Sequence, residues 1–453
     1  MCGIAGSRSG GQGVIAGMLD RIAHRGPDGR GIDGIHGHVR LAMLDPSEGS
    51  AQPFSYRGGV LAYNGELWNH NSLRDELRAQ GHSFRTTGDT EVLAAALYEW
   101  GLGALDKLDG MFAFAWTDPF GRTMLVRDAF GKVPLYFCER DGDLRWASER
   151  KAFPRGWQPV AVPPGEWLDV NSGRLAQWYY RAYNPEPDLP PERLLGLLRE
   201  GVRKRLEADR PVCVLVSGGL DSALILALAK EVSDDVTAFT AYYDENSADL
   251  RAATRLCRDL NVPLYDVPIE VTEERISRAM YAIEMNSIAQ IEIAVACLPL
   301  AEAIYREGFR ACLSGEAADE LFGGYGSFKR RAWKQPKSTV IGLRLAALEK
   351  MSRGNFMRCN KAFMAAGVEC RLPFMEQELV EEAVWLDLEA SPPPKKLLKQ
   401  AARSVLPAWV ITRQKETFQG GAGISTAIRR FIASPSRYYN NELRKAFGYL
   451  PTC

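Results

Sequence analysis

A proline-rich stretch from Asn184 to Glu192 (NPEPDLPPE) separates two regions whose hydrophobic patterns cannot belong to one sheet. Before it, short apolar runs such as Val60 to Tyr63, Ala113 to Trp116, Thr123 to Val126 and Leu135 to Cys138 alternate with Gly, Asp and Asn turn signals. Helical spacing interrupts them only near Leu73 to Gln80 and Thr90 to Trp100. This predicts an α+β domain of layered antiparallel sheets with helices over residues 1–183. After the stretch, leucines recur at helical spacing from Leu194 to Leu206. Val212 to Val216 then opens through SGGLDS into a helix (Ala223 to Val232), and Val236 to Tyr242 leads to another (Ala252 to Leu260). Strand–helix alternation predicts an α/β domain with a parallel sheet over 193–453, its later part helical. Ligands are expected at the C-terminal ends of the strands.

The totals exclude several functions. Lys plus Arg number 56, as do Asp plus Glu, so no net charge points to nucleic acid or a membrane surface. The most apolar stretch, Ile288 to Ile304, carries Glu292 and Glu302 and reads as a buried helix. The nine cysteines form no C-x-x-C pair, and the N-terminus lacks a secretory pattern; both fit a reducing, cytoplasmic setting. All five histidines lie at or before His82. The second domain therefore has no Ser-His-Asp triad or histidine-ligated metal of its own, and its acid–base chemistry falls to carboxylates.

The chain opens Met1-Cys2-Gly3-Ile4-Ala5-Gly6. Removal of Met1 would leave Cys2 with a free α-amine, a base of pKa roughly 7.7–8.0 beside its own thiol. Further on come His24-Arg25-Gly26-Pro27-Asp28, Arg40-Leu41, Tyr63-Asn64-Gly65-Glu66 and Gly88-Asp89-Thr90-Glu91. Acyl transfer needs an oxyanion hole, and the Asn64 amide with the Gly65 N–H is a suitable pair. A free amino acid needs a cation and an anion, tasks that suit Arg40 and Asp89. Taken singly, Asn64-Gly65 reads equally as a turn, and Arg40 and Asp89 as surface charges.

In the second domain, Ser217-Gly218-Gly219-Leu220-Asp221-Ser222 follows a strand and opens a helix, so its backbone N–H groups can cradle a phosphate. Ser217 and Ser222 add hydroxyls, and Asp221 suits such a site only through Mg²⁺. Glu316, Asp319 and Glu320 in SGEAADELFGGY (314–325) have i, i+3, i+4 spacing, so one helical turn would put all three on one face. Three like charges together imply a cation or a raised pKa.

The first-domain motifs, with LDGMFAFAW (108–116), RDAFGKVPLY (127–136) and Ala147-Ser148-Glu149, resemble the class II glutamine amidotransferase domain, also called the N-terminal-nucleophile glutaminase. That resemblance implies Cys2 as nucleophile, Asn64 and Gly65 at the oxyanion, and Arg40, Asn64, Glu66 and Asp89 on glutamine. SGGLDS resembles the PP-loop of the ATP pyrophosphatases, which cleave ATP between its α- and β-phosphates. SGEAADELFGGY resembles the SGEGADELFGGY of asparagine synthetases. GVECRLPF (367–374), just after Asn360-Lys361-Ala362, resembles their GVEARVPF, and RQKETF (413–418) their RQKEQF. These resemblances imply ATP and pyrophosphate at Leu215, Ser217, Gly218, Gly219, Asp221, Ser222, Ser314 and Gly315. They imply Mg²⁺ on Asp221 and Asp319, Glu316 as the base for ammonia, and Lys415 stabilising charge on an adenylate.

The expected enzyme is a glutamine-dependent amide synthetase: Cys2 releases ammonia from glutamine, and ammonia reaches a carboxylate activated by ATP. The acceptor stays open between aspartate and another carboxylic acid. Glu284 to Glu292 does not match the Ser/Thr-Pro stretch of familiar asparagine synthetases, Met375-Glu376 replaces Leu-Asp, and QGGAG (419–423) replaces SDG. The alternatives are a β-lactam or lasso-peptide cyclase using an internal amine, and a relative that has lost synthesis. The resemblance also makes a homodimer the expectation.

Overall fold

The computed structural model describes residues 1–325, 337–386, 395–413, 424–432 and 434–451. Its first half is built on two six-stranded sheets in which every pairing between named strands is antiparallel. Strand Gly110–Thr117 shows why they stack. Met111, Ala113 and Ala115 face the other sheet, where they meet Ile4, Leu144 and Trp146. Phe112, Phe114 and Trp116 face outward and pack on Val92, Leu93, Leu97 and Leu77. This is the period-two alternation of a strand buried on both faces. The alanines face the first sheet and the large aromatics face the helices, so the two sheets can pack closely.

Helices His70–Ala79 and Asp89–Trp100 cover that second sheet, and Gly11–Arg21 covers the outer face of the first through Ile15, Met18 and Leu19. The layered α+β architecture read from the sequence is present. Strand Gly3–Ser7 lies inside the first sheet between Asp143–Ala147 and His36–Arg40. This central position fixes Cys2 at the end of a strand whose burial pattern is continuous.

The second half holds, among the described residues, a five-stranded, all-parallel sheet in the order Leu264–Pro268, Ala238–Tyr242, Val212–Leu215, Ala311–Leu313, Glu369–Arg371. The chain leaves the Val212–Leu215 strand to one side and later returns on its other side. The loops after Val212–Leu215 and Ala311–Leu313 therefore leave adjacent parallel strands at the same end, where α/β sheets form their ligand crevice. Helix Ile288–Arg306 is long and apolar enough to cross a membrane by length and composition, but Ile291, Ala294, Val295, Ala301 and Ile304 are buried in the domain core. Helix Pro191–Leu206 starts inside the proline-rich stretch, with Pro at its first position, where a missing N–H breaks no helical bond.

A buried ionic network joins the halves. Glu284 accepts N–H bonds from Arg150 (3.0 Å) and Lys151 (2.7 Å) and pairs with the Lys361 ammonium at 2.6 Å. Lys361 also donates to the Tyr136 hydroxyl at 2.9 Å. Glu284 itself sits at φ +56°, a left-handed conformation that ends helix Glu273–Ile283 and turns the chain toward the first half.

Candidate active sites and their relatives

The Cys2 thiol is buried and sits against the backbone of Leu41, whose N–H donates to Sγ at 3.4 Å; the thiol reaches the Leu41 carbonyl at 3.6 Å. Burial pushes this thiol up to about 11, partly opposed by the nearby terminal ammonium. The Cys2 N–H donates to Asn64 Oδ1 at 2.9 Å, and Asn64 Nδ2 is 3.3 Å from Ser148 Oγ. Ser148 also accepts the Ile4 N–H at 2.9 Å. The site thus ties strand Gly3–Ser7 to strand Gly59–Leu67. Ser148 is the strut between them, a role that its place in the Ala147-Ser148-Glu149 motif did not reveal. Gly65 is required sterically: a Cβ there would lie 2.2 Å from the Met111 carbonyl oxygen and 2.7 Å from Phe112 Cα.

Of the expected glutamine-binding residues, Asn64 and Glu66 lie beside Cys2. Arg40 directly precedes Leu41, and its guanidinium is held by the carbonyls of Ser47 (2.8 Å) and Asp45 (2.5 Å). Asp89 opens its helix and accepts from the Tyr63 hydroxyl at 2.8 Å and the Leu67 N–H at 3.0 Å. Burial raises its carboxyl above the usual range. Glu66 is raised further, by burial and then by the charges of Glu369 and Asp89; one of its oxygens is buried without a hydrogen-bond partner among the described residues. Unpaired buried carboxyl oxygen of this kind suits a cationic ligand group.

Glu369 and Arg371 reach this site from the other half. Arg371 Nε donates to Glu369 at 2.6 Å, and Arg371 lies 3.8 Å from Glu66. The Met1 ammonium pairs with Glu369, and the Met1 sulfur accepts from Asn360 Nδ2 at 3.0 Å. Met1 therefore fills the space between Cys2 and the second half.

In the second half, Gly218 adopts φ +70°, and a Cβ there would lie 2.7 Å from Ala252 Cβ and 2.8 Å from the Asp249 carbonyl. A side chain at this position would be both strained and clashing, which explains the glycine. The loop is held by Ser222 Oγ, which accepts the Ser217 N–H at 3.1 Å and donates to the Gly219 carbonyl at 3.3 Å. Leu215 ends its strand half-buried beside this loop. The second loop packs on the first: a Cβ on Gly315 would lie 2.9 Å from the Ser222 nitrogen. Ser314 Oγ accepts the Glu316 N–H at 3.3 Å.

The single acidic helical face expected at 316–320 does not form. Ala317 takes φ +80°, so the helix spans only Ala318–Phe322 and Glu316 stands outside it. The carboxylates consequently divide. Asp319 turns toward Asp221, and both pair with the Lys395 ammonium, at 2.6 Å and 2.5 Å. Glu316 and Glu320 turn the other way and share Asn355 Nδ2, at 3.1 Å and 3.2 Å. Glu316 also pairs with the buried Arg358 guanidinium, whose other terminal nitrogen donates to Gln290 Oε1 at 2.7 Å. Burial and the adjacent Glu316 charge push Glu320 up to about 7, and Tyr325 donates to it at 2.6 Å.

Asn355, Arg358 and Lys395 went unread in the sequence. Arg358 stands two residues before the Asn360-Lys361-Ala362 segment and could have been flagged by it. Lys395 carries no local signal. Lys415 lies outside the described residues. Asp221 and Asp319 supply carboxylate oxygens that converge on one cation, a donor set suited to Mg²⁺.

A family model described as glutamine amidotransferase domain matches residues 1–187, and one described as asparagine synthase matches residues 193–353 and 342–435. The glutamine-hydrolysing asparagine synthetase 2 of Arabidopsis thaliana is 32% identical over 440 residues, covering 89% of this chain and 75% of the relative. Asparagine synthetase B of Escherichia coli K12 is 32% identical over 438 residues, covering 89% and 78%. The enzyme of Asparagus officinalis is 31% identical over 440 residues, covering 89% and 74%. With the two halves matched in order and the thiol site and the crevice loops both formed, this chain belongs to the family of glutamine-hydrolysing asparagine synthetases, ATP-dependent carbon–nitrogen ligases.

Proposed function

We propose that the chain takes ammonia from glutamine at Cys2 and joins it to a carboxylate activated by ATP in the crevice of the second half. The observation that carries this reading is the placement of Cys2: its thiol sits against Leu41, its backbone N–H is held by Asn64, and carboxylates from both halves, Glu66 and Glu369, act on it.

Removal of Met1 frees the Cys2 α-amine to accept the thiol proton, which a thiol raised by burial requires. It also empties the space that Met1 fills. The thiolate attacks the side-chain amide carbon of glutamine. Asn64 Nδ2 and the Gly65 N–H stabilise the oxyanion, and the C–N bond breaks to give ammonia and a thioester that water hydrolyses to glutamate. Arg40 receives the glutamine carboxylate; Glu66 and Asp89 receive its ammonium.

Strand Glu369–Arg371 gives ammonia a course. Glu369 and Arg371 reach the thiol site, while the Cys370 thiol lies by Cys359, next to Arg358 and Glu316.

In the crevice the acceptor carboxylate attacks the α-phosphorus of ATP, giving an acyl-adenylate and pyrophosphate. The Ser217–Ser222 loop, Leu215, Ser314 and Gly315 hold the nucleotide. Asp221 and Asp319 would hold Mg²⁺, which offsets phosphate charge when bound. Glu316 takes a proton from the attacking ammonia, AMP leaves, and the amide forms. Lys415 is assigned to the adenylate from its motif. Two ligands remain for the acceptor itself: aspartate, the acid whose amide the relatives' names give as product, or another carboxylic acid. The Glu284 to Glu292 segment does not match the familiar stretch, which keeps the second open.

The test is glutamate release from glutamine, and AMP with pyrophosphate release, across a panel of carboxylic acids that includes aspartate. Cys2→Ala should abolish the first and leave ammonia-driven amide synthesis intact. Glutamine hydrolysis surviving in Cys2→Ala would sink the reading.

A further inference from the structure

Lys395 belongs to no motif read in the sequence, yet it occupies the centre of the crevice. It is buried, at φ +57°, a conformation rare for a residue with a side chain. Its N–H donates to the Phe322 carbonyl at 3.1 Å, which draws it against the glycine turn that follows. That turn leaves no room: a Cβ on Gly324 would lie 1.7 Å from Asp319 Oδ1 and 2.5 Å from Lys395 Cε. The ammonium reaches both carboxylate oxygens of Asp221 at 2.5 Å and Asp319 Oδ1 at 2.6 Å.

We propose that Lys395 is an internal counter-ion that holds Asp221 and Asp319 together in the nucleotide-free enzyme and must be displaced for Mg²⁺ to enter. The inference rests on the reading that these two aspartates carry the metal. An ammonium nitrogen 2.5 Å from Asp221 and 2.6 Å from Asp319 fills the space that Mg²⁺ would need to reach them at roughly 2.0–2.1 Å. The two cations also repel each other. Metal alone gains the carboxylates only by expelling a buried, doubly paired ammonium, which then loses both anions. Metal arriving with a polyphosphate brings anionic oxygens to receive that ammonium. Metal and nucleotide therefore bind together, and the site resists charging with free divalent cations.

The test measures Mn²⁺ binding by electron paramagnetic resonance, with and without the non-cleavable analogue α,β-methylene-ATP. The proteins are the wild type, Lys395→Met, Lys395→Gln, and Asp221→Asn with Asp319→Asn. The wild type should bind Mn²⁺ at least tenfold more tightly with the analogue than without it, after correction for Mn²⁺ held by the analogue in solution. Both Lys395 variants should bind Mn²⁺ without nucleotide at least tenfold more tightly than the wild type, and should bind the analogue more weakly. Lys395→Gln keeps a hydrogen-bond donor beside the two aspartates and serves if Lys395→Met fails to fold. Wild-type protein that binds Mn²⁺ equally well with and without the analogue overturns the proposal without any variant. So do Lys395 variants with unchanged nucleotide-free affinity. If the aspartate variant leaves Mn²⁺ binding untouched in every condition, the metal assignment itself falls, and the inference with it.

Discussion

Asn360, on the synthetase half, accepts a 2.9 Å hydrogen bond from the same Arg25 guanidinium that donates to the Cys2 carbonyl at 2.8 Å. Arg25 is fully buried and also pairs with Glu149 at 2.7 Å. The backbone of the nucleophile is thus positioned partly by the other domain. Asn360 lies on helix Asn355–Met364, whose first turn carries Asn355 and Arg358 to the Glu316 carboxylate. One rigid helix therefore touches both sites.

Asn360→Ala removes one acceptor from a buried guanidinium, a loss of roughly 1.5–3 kcal/mol for a charged hydrogen bond. Glutamine hydrolysis should fall about tenfold in kcat with a smaller change in KM. Amide synthesis from added ammonium salt should stay within about twofold of the wild type. Parallel assays with glutamine and with ammonium check this; an equal fall in both would show general damage instead.

Lys361→Met leaves Glu284 buried with one cation fewer. Breaking a buried pair in this way costs about 3–5 kcal/mol, which should lower Tm by several degrees in a thermal scan. The pH dependence has a definite sign. Burial opposes ionisation of Glu284 and Glu149. Lys361 and Lys151 nevertheless hold Glu284 below the usual carboxylate range, and Lys151, His24 and Arg25 hold Glu149 well below it. Both folded values are depressed, so the network stabilises fully above the unfolded carboxylate value of about 4.3 and is lost as pH falls through the folded values. The gap in Tm between wild type and Lys361→Met should therefore be widest near pH 7 and narrow below about pH 4.

Gly65→Ala places a Cβ 2.2 Å from backbone oxygen at Met111, where nothing flexible can yield. The strand must shift, at about 1–3 kcal/mol for overpacking. Asn64 shifts with it, so glutaminase activity should fall at least a hundredfold while ammonia-driven synthesis survives. Retained glutamine hydrolysis would show that Asn64 and Gly65 do not form the oxyanion site.

Arg358→Met should act on the opposite half. It takes away the cation paired with Glu316 and leaves the thiol site untouched. Amide synthesis from ammonium should drop by about 10²-fold, a typical share for a positioned acid–base group, with glutamine hydrolysis unchanged. Arg358→Lys should restore part of the rate. AMP release measured beside glutamate release separates the two.

The architecture was legible because it rests on local pattern. The strand at 110–117 alternates large and small residues, the run at 212–216 feeds a glycine turn, and the histidines stop at residue 82; each can be read without neighbours. The candidate residues of both sites could be named for a similar reason, since Asn64-Gly65-Glu66, SGGLDS and SGEAADE keep their chemistry within a few consecutive residues. Local reading erred where one backbone angle intervened. Ala317 at φ +80° breaks the helical face that the i, i+3, i+4 spacing of Glu316, Asp319 and Glu320 implied, and sends the carboxylates to different partners.

What only the tertiary structure decided is which distant charges meet. Lys395 reaches Asp221 across 174 residues, Arg25 reaches Asn360 across 335, and Lys361 reaches Glu284 across 77. No periodicity encodes such pairs, because each is set by how two sheets and one helix pack. The sequence by itself determined two folds and the residue types at their sites. Packing decided that a lysine with no motif stands between the crevice aspartates and that a synthetase asparagine helps to position the glutaminase thiol. The physical reason is that hydrophobic pattern is written residue by residue along the chain, whereas the partner of a buried charge is fixed only when the low-dielectric interior closes around both.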